Sequence, residues 1–287
     1  MRYTGRQPFS SPGPVIMTLG RLLHYGIYLA WTLLAGLLVH LSTWEMPPDL
    51  PFVYVITPTY RRPTQKADLT RLANTLGQVP NLHWIVVEDS DKRSPMVAGV
   101  LSRCRAPSTH MNVPMPSYCK PHCVARGTEQ RNMGLDWLRK NRGPVDSGVV
   151  YFGDDDNAYD LEVFEEIRST KRVSVFPVGL IAGRWYERPK VRDGRVVGWY
   201  TGYGGRKFCI DMAGFAVNLH VLLAKPNARF VMKGVGGVQE TDFLSLLTKV
   251  EDLEPLANNC TRVLVWHTRT QPAYVGKHVK DETSIEA

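Results

Sequence analysis

The stretch Val149-Val150-Tyr151-Phe152-Gly153-Asp154-Asp155-Asp156-Asn157 decides the fold. Its first half is a short apolar run of β-branched and aromatic residues, the pattern of a buried strand. It ends on three adjacent carboxylates. Such groups repel one another, and a buried strand end tolerates them only where positive charge meets them. Their oxygen ligands favour Mg²⁺ or Mn²⁺, ions suited to neutralising a departing diphosphate. The other reading is a solvated acidic turn or a helix cap, because Asp160 and Glu162 follow at an expected helix start. The apolar strand directly before the triplet favours the metal site.

Working outward, apolar runs and helical spacings alternate. Phe52–Ile56 predicts a strand ending in a turn at Thr57-Pro58-Thr59, and Leu82–Val87 predicts a second strand ending in Glu88-Asp89. Lys66–Leu76 places Leu69, Leu72 and Leu76 on one helix face, and Glu129–Asn141 predicts another helix. Repeated strand–helix–strand units imply an α/β fold with a mixed, mainly parallel sheet and flanking helices. Ligands in such sheets bind at the carboxyl ends of the strands, where Thr57–Tyr60, Glu88-Asp89 and the acidic triplet all fall. Further on, Val173–Ile181 is strand-like, Lys190–Trp199 reads as a hairpin about Asp193-Gly194, Thr241–Lys249 looks helical and Val263–Trp266 is a strand.

The first fifty residues have a different character. No charged side chain lies between Arg21 and Glu45, and 22–41 is mostly apolar. At roughly 1.5 Å per residue that run can cross a bilayer core of about 30 Å. Arg2, Arg6 and Arg21 precede it and Glu45 and Asp49 follow, so the expectation is a signal-anchor with the remainder lumenal. This gives a cytoplasmic tail over 1–21, the anchor over 22–41, a stem over 42–50 and a catalytic domain over 51–287. Within that domain, 51–157 is the donor-binding half and 158–287 the acceptor-binding half. Of the five cysteines, a disulfide with at least one thiol left over is expected, and the sequence does not choose the partners. Asn259-Cys260-Thr261 is an N-glycosylation sequon, meaningful in a lumenal domain. The net charge of +8 suits acidic glycans, anionic nucleotide sugars or lipids, and no nucleic-acid motif is present.

Several longer segments carry a resemblance. Val55–Tyr60, His83–Asp89, Arg126–Asn132, the acidic triplet, Asp211–Val217 and Val265–Thr270 are similar to the β-1,3-glucuronyltransferases. Within them the sequence most resembles the galactosylgalactosylxylosylprotein 3-β-glucuronosyltransferases, which complete the proteoglycan linkage tetrasaccharide. The resemblance spans Phe52 to about Gln271. It implies a GT-A fold, Mn²⁺ as cofactor, UDP-glucuronate as donor, a galactose-terminated acceptor and inversion at the anomeric carbon. It also implies the Golgi membrane as location, and it leaves open an exchange of C-terminal tails across a homodimer.

Carried over residue by residue, Pro58, Tyr60 and Asp89 match uridine-holding positions, Asp156 the metal ligand, and Asp154 and Asp155 donor contacts. Arg126 and Arg131 match residues near the glucuronate, whose carboxylate suits the planar guanidinium fork. His267 and Arg269 match donor and diphosphate contacts. Glu187, Arg206 and Asp211 match acceptor contacts, with Tyr203 where an aromatic ring stacks on a sugar. An inverting displacement needs one base, and Glu240, ahead of the expected helix and upstream of Asp252–Pro255, matches it, with Asp242 next in line. Transfer to N-acetyllactosamine-type glycans, a non-catalytic glycan-binding protein and a nucleotidyltransferase are the competing readings.

Overall fold

The computed structural model describes residues 24–34, 50–119, 126–232 and 237–272. The chain divides into two units, 1–49 and 50–287. Of the first, the described part is one helical stretch, α1, over 24–34. Among the described residues no helix is long and apolar enough to cross a membrane. The rest of the expected anchor and the stem up to residue 49 lie outside the described residues, as does the chain from 273 onward.

The second unit is built on strand alternation. In β1 (Phe52–Tyr60), Val53 and Val55 join one buried cluster, with Leu69, Leu72 and Leu76 of α2 (Gln65–Leu76) and Val97 of α3 (Pro95–Arg103). Tyr54 and Ile56 join another, with Leu135 and Leu138 of α4 (Thr128–Asn141) and Phe243 and Leu244 of α7 (Gln239–Leu247). Successive side chains point to opposite sheet faces, so a strand buried on both sides must be apolar throughout. β2 (Leu82–Asp89) and β4 (Gly148–Phe152) follow the same rule. The buried Trp84 indole donates to the Thr57 hydroxyl at 2.9 Å, satisfying its one polar atom.

The main sheet has seven strands in the order β11-β6-β10-β4-β1-β2-β3. Its flanks are β3 (Ser108–Asn112), β6 (Val173–Val175), β10 (Phe215–Asn218) and β11 (Glu254–Pro255). The β4-β1-β2-β3 block is parallel, whereas β10 runs antiparallel to both β4 and β6. A second sheet, β5-β12-β7-β8-β9, uses three two-residue strands, β5 (Ala158–Tyr159), β7 (Val178–Gly179) and β12 (Val265–Trp266), plus the hairpin β8 (Tyr186–Arg192) and β9 (Arg195–Tyr200). Asp193 and Gly194 have φ of 50° and 72°, the left-handed pair that a tight hairpin needs. Two short helices complete the unit, α5 (Leu161–Ile167) and α6 (Leu219–Leu223).

Three expectations change. The turn expected at Thr57-Pro58-Thr59 is strand, because β2 accompanies β1 to Tyr60. β4 leaves β1 after Ile56, so the other side of the later residues carries no ladder and tolerates a proline without an N–H. Val173–Ile181 is two strands in different sheets. Thr241 does not begin its helix; α7 starts two residues earlier and includes Glu240. Helix α3, capped by Ser94 with Pro95 next, and strand β3 were not anticipated. Cys119 is disulfide-bonded, and Cys104, Cys209 and Cys260 are free. The stretch Ala257–Cys260, labelled α8, is unusual: its four residues all have φ between 52° and 60°, so the exposed Asn259 rides on a left-handed turn.

Candidate active site

Strand direction assembles the site. β1, β2 and β4 end on one edge of the main sheet, delivering Tyr60, Asp89 and the Asp154–Asp156 triplet. Antiparallel β10 begins at that edge, so it delivers the residues that precede it, with Asp211 opening the short turn before Phe215. The Asp211 side chain caps that turn by accepting from the Ala213 amide at 3.0 Å.

Seven carboxylates meet in this region, and six have a cation. Arg131 Nη2 lies 2.5 Å from Asp154 Oδ1. Arg62 Nη2 lies 2.8 Å from both Asp155 Oδ1 and Asp68 Oδ2. His267 Nδ1 is 3.5 Å from Asp211 Oδ2. Arg206 faces both Glu187, at 3.5 Å, and Glu240, at 3.9 Å. Among the described residues Asp156 has no ion-pair partner. Its backbone carbonyl is engaged by Thr268 Oγ1 at 2.5 Å and Arg71 Nη2 at 3.2 Å.

Burial sets the proton affinities. Burial pushes Asp155 up to about 6 against the opposing pull of Arg62 and the Thr59 hydroxyl, which donates to it at 2.6 Å. Asp156 is raised by burial and then by the charge of Asp154. A group that resists ionisation for want of positive charge, offers hard oxygen and has no cation of its own fits a divalent metal ion. Glu187 is raised by burial, opposed by a hydrogen bond from Thr201 and by Arg206. Burial also pushes at Asp211, but His267, the Ala213 amide and Arg131 outweigh it and hold Asp211 below the usual range. The Asp211 contact in turn raises His267. Glu240, with its side chain 12% exposed, is pushed up to about 7, by burial first and by Asp211 second.

The expected donor residues are at strand ends, with distinct surroundings. Tyr60 is 42% exposed, with the Arg62 guanidinium 4.8 Å and the Arg126 guanidinium 5.9 Å from its ring centre. Asp89 Oδ1 accepts from the Met115 amide at 2.7 Å, so in this structure it ties down a loop. Pro58 packs against Gly127, the N-cap of α4. Arg269 is exposed, flanked by Thr268 and by Thr270, whose hydroxyl reaches Arg71 at 3.2 Å. Tyr203, 46% exposed, stacks on the Arg206 guanidinium at 4.9 Å. Asn259 is on the left-handed turn and belongs to none of these contacts. Sequence reasoning passed over Arg62, Thr59, Gln239 and Thr241. Arg62 carried a signal, as a second arginine-bearing position just beyond a strand end that already held Pro58 and Tyr60.

Gly127 has φ +77°, and a Cβ there would sit 2.7 Å from Arg131 Nη1 and 3.1 Å from Pro58 Cβ. The left-handed backbone alone costs a non-glycine residue roughly 1–2 kcal/mol. Gly127→Ala is therefore expected to lose at least that much stability in denaturant unfolding and to break the bond from Arg131 Nη1 to the Arg126 carbonyl, 3.1 Å in the native chain.

The site therefore sets one acid without a cation of its own among the described residues, Asp156, near paired arginines, and one buried carboxylate raised in proton affinity, Glu240. The glycosyltransferase family 43 model matches residues 72–271. Galactosylgalactosylxylosylprotein 3-beta-glucuronosyltransferase 2 of Canis lupus familiaris is 56% identical over 246 residues, covering 83% of this chain and 75% of its own. The human protein of that name is 56% identical over 245 residues, with 83% and 76% covered. Galactosylgalactosylxylosylprotein 3-beta-glucuronosyltransferase 1 of Rattus norvegicus is 51% identical over 252 residues, with 83% and 75% covered. Among solved structures, S. aureus TarS 1-349 superposes with a TM-score of 0.50 at 14% identity, covering 76% of this chain and 60% of that one, a likeness of fold alone. With its mixed α/β fold, its acid-and-arginine site and these relatives, the chain belongs to glycosyltransferase family 43.

Proposed function

We propose that this protein is an inverting, metal-dependent β-1,3-glucuronosyltransferase of GT-A type. It moves glucuronic acid from UDP-glucuronate to the 3-hydroxyl of a terminal galactose, completing the linkage tetrasaccharide on a proteoglycan core protein. The names of relatives at 51–56% identity support the donor sugar and the acceptor. The observation that carries the chemistry is the place of Glu240. Its buried Oε2 makes no hydrogen bond among the described residues and stands 3.9 Å from Arg206, and burial first and Asp211 second raise the carboxyl to about 7. A base poised near the working pH is matched to removing a proton from a hydroxyl in the transition state.

In that reaction the Glu240 carboxylate takes the 3-hydroxyl proton as the acceptor oxygen bonds to the anomeric carbon. The bond from that carbon to the diphosphate oxygen breaks, and UDP leaves with the electron pair. Asp156 would hold the divalent cation, Mn²⁺ by resemblance, whose charge offsets that of the leaving diphosphate. Arg126 and Arg131 face the sugar carboxylate, Pro58, Tyr60 and Asp89 hold the uridine, and His267 and Arg269 face the diphosphate. Glu187, Arg206, Asp211 and Tyr203 hold the acceptor. Placement in the Golgi lumen behind an anchor at 22–41, with a glycan on Asn259, belongs to the same proposal.

The test follows UDP release by the purified protein with UDP-glucuronate, Mn²⁺ and galactosyl-β-1,3-galactose. The expected result is turnover that EDTA removes and that UDP-glucose and UDP-N-acetylglucosamine do not support. Folded protein that binds UDP yet turns over no donor would favour a glycan-binding role instead.

A further inference from the structure

Glu240 is aimed by its helix, because little else holds it. Among the described residues its Oε2 makes no hydrogen bond, and its nearest cation, Arg206, stands at 3.9 Å. The helix start is itself uncapped: Val238, the N-cap of α7, offers no side-chain acceptor to the first-turn amides. Two neighbours of Glu240 make up for this. The Gln239 side-chain amide donates to the hydroxyl of Thr128, the buried first residue of α4. One turn further along α4, Arg131 pairs with Asp154 on the donor side. The Thr241 hydroxyl accepts from the Phe208 amide at 3.2 Å and donates to the Phe208 carbonyl at 3.1 Å. Phe208 is fully buried, between Arg206 and Asp211 on the acceptor side.

Consecutive helix residues point about 100° apart, so side chains immediately before and after Glu240 leave the helix on either side of it. One latch fixes the helix start to the donor half and the other fixes it to the acceptor half. We propose that Gln239 and Thr241 are positioning residues for the base, holding Glu240 in register between the two substrates. This rests on Glu240 being the base. Neither residue touches donor or acceptor in this scheme, so their loss misplaces the carboxylate and leaves substrate affinity alone. Misplacement by about 1 Å can cost on the order of a hundredfold in rate.

The experiment uses the full chain with UDP-glucuronate and a galactose-terminated acceptor, comparing Thr241→Val, Thr241→Ser, Gln239→Met and Glu240→Gln. Thr241→Val keeps the shape and removes both Phe208 bonds. Its kcat is expected to fall by roughly tenfold or more, with KM for the donor within about twofold of the parent. Thr241→Ser restores the hydroxyl and is expected to return most of kcat. Gln239→Met is expected to show the same kcat-against-KM split, and it carries the test alone if Thr241→Val does not unfold cooperatively. Unchanged kcat in folded Thr241→Val and Gln239→Met, beside an inactive Glu240→Gln, overturns the latch and leaves the base reading standing. Parallel losses of kcat and donor affinity, or no rescue by serine, also overturn it. Full turnover by Glu240→Gln overturns both.

Discussion

Glu240→Gln is expected to lower kcat by about 10²- to 10⁴-fold, the usual worth of a general base, while UDP binding in the presence of metal stays as it was. Glutamine keeps the shape and the contact with Arg206 but cannot accept the proton. The parent's kcat/KM should rise with pH and level off above about 7, and the residual rate of the variant should lack that limb. Stability moves the other way. The folded-state value of Glu240 is raised from 4.5 to about 7, so its contribution is fully present below 4.5 and is lost as pH climbs through about 7. A neutral glutamine suffers no such loss. Thermal unfolding should therefore show the variant gaining on the parent between about pH 5 and pH 8. Undiminished turnover with an unchanged pH profile would sink the assignment and turn attention to Asp242.

Asp156→Ala is expected to remove the Mn²⁺-dependent part of UDP binding, read by calorimetry with and without EDTA, and to take turnover with it. Several kcal/mol of charge stabilisation corresponds to a rate effect on the order of 10²–10⁴. Asp156 is the sharpest of the three acids to test because the other two have partners. Removing Asp154 strands Arg131, and removing Asp155 leaves Arg62 with Asp68 alone, so their variants mix lost chemistry with disturbed buried ion pairs. Removing Asp156 strands no cation among the described residues and relieves its repulsion with Asp154. The metal-free variant should accordingly be no less stable than the metal-free parent near neutral pH. Unchanged Mn²⁺ dependence of UDP binding would move the metal ligand elsewhere.

The first half of the sheet domain was legible because its signals are local. A continuous apolar run of strand length followed at once by charge announces itself, and β1, β2, β4, α2 and α4 all appear within a few residues of their expected bounds. The second half was legible only in part because its order is not local. Val178-Gly179 and Val265-Trp266 meet at Trp266 beside Gly179 and are completed by β8 and β5; the strands expected over Val173–Ile181 and Val263–Trp266 overrun them, because two residues carry no periodicity to set a bound. Strand β3 alternates no apolar face, since Ser108–Asn112 is polar throughout but for Met111. The functional residues that escaped notice share one trait. Arg62, Thr59, Gln239 and Thr241 act on other protein groups, some of them about a hundred positions away, and no single-chain pattern encodes such a meeting.

The two sheets also differ in how firmly they can hold what they carry. β1 is laddered by β2 from Val53 to Tyr60 and by β4 as far as Ile56, whereas Glu187 lies on a hairpin at a sheet margin and Tyr203 and Arg206 on the glycine-rich turn after it. Short strands at a sheet margin open at lower free energy than a central strand does. Amide exchange should therefore be fastest around Thr201–Lys207 and slowest along β1. On the proposed assignment, substitutions in that margin redirect which sugar is accepted without touching how the nucleotide sugar is activated, which would make the protein evolvable on one side of Glu240 and conservative on the other.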